Sequence, residues 1–87
     1  MKSNPIIYAV SDSIGETAES VVKATVSQFS EEKFDVTRIP YVKDKEQIDK
    51  IIAEAAQHKA VICHTIVSPE LRDHIADKAL AMDVQVV

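Results

Sequence analysis

Two short polar stretches hold most of the side chains that could do chemistry. The first is "SDSIGET", with Ser11, Asp12, Ser13, Gly15 and Thr17, and the second is "CHT", with Cys63, His64 and Thr65. Hydroxyls and amides around a glycine at a helix start are suited to phosphate, because first-turn N–H groups lack helical partners and sit at the positive end of the helix dipole. An aspartate at such a place can act as a general base or accept a phosphoryl group. The same residues also have a plainer reading. Ser13 and Glu16 have the S-x-x-E spacing of a capping box, and Asp12 suits an Asx turn leading into the helix. Glu16 also opposes an anion by its charge. His64 in an apolar run fits a hydrogen-bonded rim histidine, and Cys63 a small buried hydrophobe. Gly15 is the only glycine, so neither G-x-G-x-x-G nor G-x-x-x-x-G-K-[ST] occurs, and no nucleotide loop of these types is present.

The elements that must position these groups are legible from hydrophobic periodicity. "IIYAV" (Ile6 to Val10) reads as a strand buried on both faces. Ala18, Val21, Val22, Thr25, Val26 and Phe29 recur at three- and four-residue steps and predict a first helix over about Ile14 to Phe29. After the polar break "SEEK", "FDVTRIPYV" (Phe34 to Val42) predicts a second strand, placed at an edge by Pro40. "DKEQ" (Asp44 to Gln47) has capping-box spacing and opens a second helix with the stripe Ile48, Ile51, Ile52, Ala55 and Ala56. "AVICHTIV" (Ala60 to Val67) suits a central strand. Ser68 and Pro69 then start a third helix with Leu71, Ile75, Ala79 and Met82 as its stripe. "VQVV" (Val84 to Val87) reads as a fourth strand. Strict alternation predicts a three-layer, doubly wound, mainly parallel α/β sheet of order 2-1-3-4. The apolar fourth strand is left as an open edge. The expectation is therefore one α/β domain over residues 1–87, incomplete at that strand, forming the amino-terminal part of a longer protein. The carboxyl ends of strands one and three, where the order reverses, are the place for a ligand. Asp12 is the catalytic candidate there, and Ser11, Ser13, Gly15, Thr17, His64 and Thr65 are the phosphate- or target-binding candidates.

Composition narrows the classes. The net charge is -4 over 87 residues, without a basic stripe, which argues against a nucleic-acid partner. One cysteine excludes an internal disulfide framework and fits a reducing compartment. His58 and His74 lack a Cys or His partner at ligand spacing, so no metal site is expected and both read as surface residues. No run is long and apolar enough for a membrane span and no cleavage-site pattern follows Met1, so the cytoplasm is the expected compartment.

"VSDSIGETAESVV" together with "CHTIVSPELRDHI" resembles the pyruvate, phosphate dikinase and phosphoenolpyruvate synthetase regulatory proteins over essentially the whole chain. Ile14 stands where the resemblance leads to threonine or serine, which removes one hydroxyl. The resemblance implies a bifunctional enzyme. As a kinase it would use ADP to phosphorylate a threonine of the dikinase or the synthetase, and as a phosphorylase it would remove that group with inorganic phosphate, releasing pyrophosphate. It also implies that the nucleotide motif lies carboxyl-terminal to these residues, so that no cofactor is bound within this segment and ADP and phosphate are substrates of the complete enzyme. The implied partner is the dikinase or the synthetase, with a homo-oligomer as a further possibility. Two other readings compete with it. One is a non-enzymatic interaction module, and the other is a small phosphotransfer domain using Asp12 and resembling receiver domains in architecture only.

Overall fold

The structure, a computed structural model, describes residues 5–29 and 34–87. In chain order the elements are β1 (Ile6–Val10), α1 (Glu16–Phe29), β2 (Asp35–Ile39), α2 (Lys45–His58), β3 (Val61–His64) and α3 (Pro69–Met82). The sheet has the order β2-β1-β3, and both pairings are parallel. β1 is thus the central strand of the three, buried along Ile7 to Val10. β3 lies beside it and is flanked on its outer side by the last residues, which reach it through one parallel bridge, Ile62 to Val86. That bridge stands at the position of the expected fourth strand. A bridge forms there in place of a full strand because only Gln85 and Val87 exchange backbone bonds with Ile62, at 2.9 and 2.8 Å.

The pleat of β1 divides the core. Ile7 and Ala9 turn to one side and pack with Ala18 and Val22 of α1, while Tyr8 and Val10 turn to the other and join Ile48, Ile52, Ile62, Ile75 and Ala79. One helix therefore covers the first side and two cover the second. This is what right-handed crossovers require when the chain moves from β1 outward to β2 and then back across to β3.

Local chemistry sets the helix ends. Asp44 accepts the amide of Gln47 at 2.8 Å, and Gln47 Oε1 accepts the amide of Lys43 at 2.7 Å. The expected reciprocal cap of α2 is therefore present, with its return bond one residue earlier than usual. Ser68 caps α3 through the Leu71 amide, with Pro69 in the first turn. At the start of α1 the expectation fails. Among the described residues no hydrogen bond joins Ser13 to Glu16. Gly15 has φ +86°, and the first helical bond runs from the Glu19 amide to the Gly15 carbonyl. The left-handed turn at Gly15 delays the helix to Glu16, so Ser13 lies too far back to cap it.

Smaller expectations also shift. Val21 and Thr25 of the α1 stripe and Met82 of the α3 stripe are exposed. His58 is exposed as expected, but His74 is partly buried, with Nε2 2.7 Å from Asp49 Oδ1, where it joins α3 to α2. The side chains of Val26 and Phe29 and the polar break from Ser30 to Lys33 lie outside the described residues. No described helix is long and apolar enough to cross a membrane.

Candidate functional site at the carboxyl ends of β1 and β3

The loop Ser11–Ser13 leaves β1 between two neighbours and is held by both. On the β2 side, the Ser11 amide donates to the Ile39 carbonyl at 3.0 Å, Val42 donates to the Ser11 carbonyl at 2.9 Å, and Tyr41 donates to the Ser13 carbonyl at 2.9 Å. On the β3 side, the Thr65 hydroxyl donates to Ser11 Oγ at 3.3 Å, and the Val67 amide donates to Asp12 Oδ2 at 3.0 Å. The polar loop is fixed at the point where the strand order reverses.

Ser11 is the one fully buried polar side chain among the described residues. Its Oγ accepts from the Ser13 amide at 3.1 Å as well as from Thr65, and it lies 3.1 Å from Ser13 Oγ. A hydroxyl has one proton and two acceptor positions. With both acceptor positions used, Ser11 gives its proton to Ser13 Oγ. The exposed Ser13 hydroxyl is left with a hydrogen to donate outward.

The structure joins Ser11, Ser13 and Thr65 by direct bonds, and Asp12 beside them is tied to the Val67 amide. Gly15 is buried beneath them, and Thr17 is exposed on the first turn of α1. His64 sits at the end of β3, and its Nδ1 accepts the Ile66 amide at 3.3 Å. Burial, and after it the Arg72 charge, hold His64 below the ordinary imidazole pKa, which favours the neutral ring that the Nδ1 acceptor contact requires. Burial pushes the Cys63 thiol up, which lowers its thiolate fraction and leaves it a poor nucleophile. No cluster of metal-binding side chains occurs among the described residues.

Two residues at this site escape the sequence reading. Arg38 on β2 lies across Gly15: a Cβ there would meet Arg38 Cγ and Cδ at 3.1 Å. Its Nε is 3.3 Å from Glu19 Oε2. Glu19 also holds Lys23 at 3.0 Å, and chiefly this bond keeps its carboxyl below the usual range. The signal for Arg38 was present, since alternation from Phe34 and Val36 places it on the α1 side of a strand beside β1. Tyr41 is an exposed aromatic with φ +59°. Nothing in its residue type announces that conformation, which its bond to Ser13 and the neighbouring Val42 bond impose.

Asp12 has a structural task that bears on its catalytic candidacy. Replacing it with alanine removes the acceptor for the Val67 amide and is expected to cost about 1–2 kcal/mol, read as a lower urea midpoint. Asp12→Asn keeps a side-chain carbonyl oxygen and should stay within about 0.5 kcal/mol of the parent. An alanine variant as stable as the parent would remove the carboxylate from this role. Oδ2 accepts the Val67 amide, and among the described residues no side-chain hydrogen bond engages Oδ1.

The family model described as "Kinase/pyrophosphorylase" matches residues 7–87. The chain belongs to the kinase/pyrophosphorylase family. Pyruvate, phosphate dikinase regulatory proteins are among its relatives. The one from Halalkalibacterium halodurans is 50% identical over 86 residues, covering 99% of this chain and 32% of the relative. That from Alkaliphilus oremlandii is 48% identical over 83 residues, covering 95% and 30%, and that from Oceanobacillus iheyensis is 44% identical over 87 residues, covering 100% and 32%. The chain thus spans about a third of the length of these kinase/pyrophosphorylase relatives. The family match begins one residue into β1 and takes in the whole Ser11–Thr17 loop and the His64–Thr65 strand end.

Proposed function

We propose that this chain supplies phosphate-binding and target-facing groups to a kinase/pyrophosphorylase that regulates pyruvate, phosphate dikinase or phosphoenolpyruvate synthetase. In this reading the complete enzyme moves the terminal phosphoryl group of ADP to a threonine hydroxyl of its target, with AMP as the leaving group and loss of the hydroxyl proton. In the opposite sense it passes the group from that threonine to inorganic phosphate, giving pyrophosphate and the free hydroxyl. Both directions need an anion held in place while a hydroxyl oxygen approaches it. The observation that carries the reading is the match over residues 7–87, which takes in the loop after β1 where several donors stand. These are the outward Ser13 hydroxyl, the first-turn amides of α1 and the Arg38 guanidinium. Arg38 Nε lies 3.3 Å from Glu19 Oε2, and in this reading its terminal nitrogens would meet an anionic oxygen. Asp12 Oδ1 is the group for a hydroxyl proton. Thr17 and Tyr41 stand on the exposed rim, where a target segment would pass.

Titrating the ¹⁵N-labelled chain with inorganic phosphate, pyrophosphate and ADP tests this. Shifts are expected at Ser13 to Thr17 and at the Arg38 side chain, weakened by Arg38→Ala. Silence at all of these positions would sink the ligand-binding part. Capture of the dikinase by a chain that ignores all three anions would favour the reading as a docking module.

A further inference from the structure

Ser11 stands at a place where alanine would fill nearly the same space, and a hydroxyl buried there is costly unless it is bonded. Its bonds join the ends of two strands. The pairing of β1 with β3 ends at Val10 and His64, and the Thr65 amide extends it by one residue, donating to the Val10 carbonyl at 3.0 Å. That register sets Thr65 beside Ser11, where its hydroxyl donates to Ser11 Oγ at 3.3 Å. The Ser13 amide donates to the same oxygen at 3.1 Å. Two donors fill both acceptor positions of a hydroxyl, so the Ser11 proton goes to Ser13 Oγ, 3.1 Å away. Without the Thr65 hydroxyl one acceptor position of Ser11 opens. Ser13 can then turn its own proton inward and present lone pairs to the solvent, which repel an anion.

We propose that Thr65 is a positioning residue which, acting through Ser11, holds the Ser13 hydroxyl as an outward donor and so selects an unprotonated phosphate oxygen at this loop. The choice of ligand rests on the reading in which an anion binds beside Ser13, whereas the direction of the hydroxyl chain does not. Thr65 itself stays off the ligand, because its proton is committed to Ser11. Ser13 touches the phosphate oxygen, and the exposed Thr65 acts one step behind it.

The direction is read first, in the ligand-free chain. A buried, bonded hydroxyl proton exchanges slowly, so the Ser11 ¹³Cβ signal should split in equal parts of H2O and D2O, while that of Ser13, open to water, stays single. A single Ser11 line overturns the proposal with no anion present. The affinity for inorganic phosphate is then measured from the amide shifts of Ser13 to Thr17 in the parent, Thr65→Val, Ser13→Ala and the double variant. Thr65→Val keeps the shape of the side chain without its hydroxyl and should weaken binding by about fivefold to tenfold. In the Ser13→Ala background it should change nothing, and Thr65→Ser should bind as the parent does. Equal weakening in both backgrounds would make Thr65 a support of the fold alone and overturns the proposal, as does unchanged binding in Thr65→Val. A parent that ignores phosphate, even with a split Ser11 line, sinks the phosphate-binding reading and with it the ligand named here. A bound phosphate indifferent to Thr65 sinks this proposal alone.

Discussion

Replacing Ile62 with alanine is expected to cost about 2–5 kcal/mol, a large share of the stability of so small a chain. A chain of 87 residues, at about 0.05–0.15 kcal/mol per residue, has a total stability of only about 4–13 kcal/mol. Ile62 is 1% exposed and packs among Tyr8, Val10, Ile48, Ile52, Ile75 and Ala79. Its neighbours come from β1, α2 and α3, so no single element can move in to fill the space. It is also the residue that bridges to Val86, and the loss should loosen the last residues as well. Urea unfolding followed by circular dichroism measures the cost. Leu80→Ala, at a position 84% exposed, is the control and should stay within about 0.5 kcal/mol of the parent. If the two variants unfold alike, the cluster on the α2 and α3 side is not the principal core.

The same residue shows why the fold was legible. "AVICHTIV" announces a strand because its β-branched residues run without a break, and a strand flanked by helical stripes can only sit in a parallel sheet. The strand order expected from that alternation is also the one observed. β1 takes the centre of the three and β3 the flank because α1 returns the chain to β2 on one side of β1 and α2 carries it to β3 on the other. Val84 to Val87 have strand composition yet form one bridge, since a ladder depends on a neighbour's backbone as well as on side-chain type.

The candidate site was legible as a location and less so as a set of contacts. A polar loop after a buried strand, at the point where strand order reverses, is fixed by topology, and Ser11, Asp12, Ser13 and Thr65 do converge there. The direction of the hydroxyl chain was hidden, because it depends on Ser11 receiving both the Ser13 amide and the Thr65 hydroxyl. The Ser13 and Glu16 spacing matched a capping box, but spacing alone does not fix the backbone angle of Gly15 between them. Arg38 was not among the candidates, although alternation from Phe34 and Val36 already placed it on the α1 side.

Gly15 carries the second large effect, and Gly15→Ala is expected to cost about 1–3 kcal/mol. Of this, about 1–2 kcal/mol comes from holding an L-residue in the left-handed region. The remainder comes from Arg38, whose Cγ and Cδ lie 3.1 Å from the new methyl and must move aside, disturbing the contact with Glu19. Gly15→Val should cost more, because a β-branched residue fits that backbone region worse than alanine does. The two sources can be separated by making Gly15→Ala in both the parent and an Arg38→Ala background and comparing the urea midpoints. If crowding dominates, the cost nearly vanishes once Arg38 is gone. If the backbone dominates, it is unchanged. The second outcome is expected, because a partly exposed arginine stem can give way by a few tenths of an ångström at little cost, whereas the turn has no such freedom. Ser13 and Tyr41 on one side of the glycine and the first helical bond from Glu19 on the other fix the path of the chain through it. Relaxing the turn would therefore mean releasing either the loop that carries the Ser13 hydroxyl or the start of α1, so the alanine variant should also lose the phosphate response of Ser13 to Thr17.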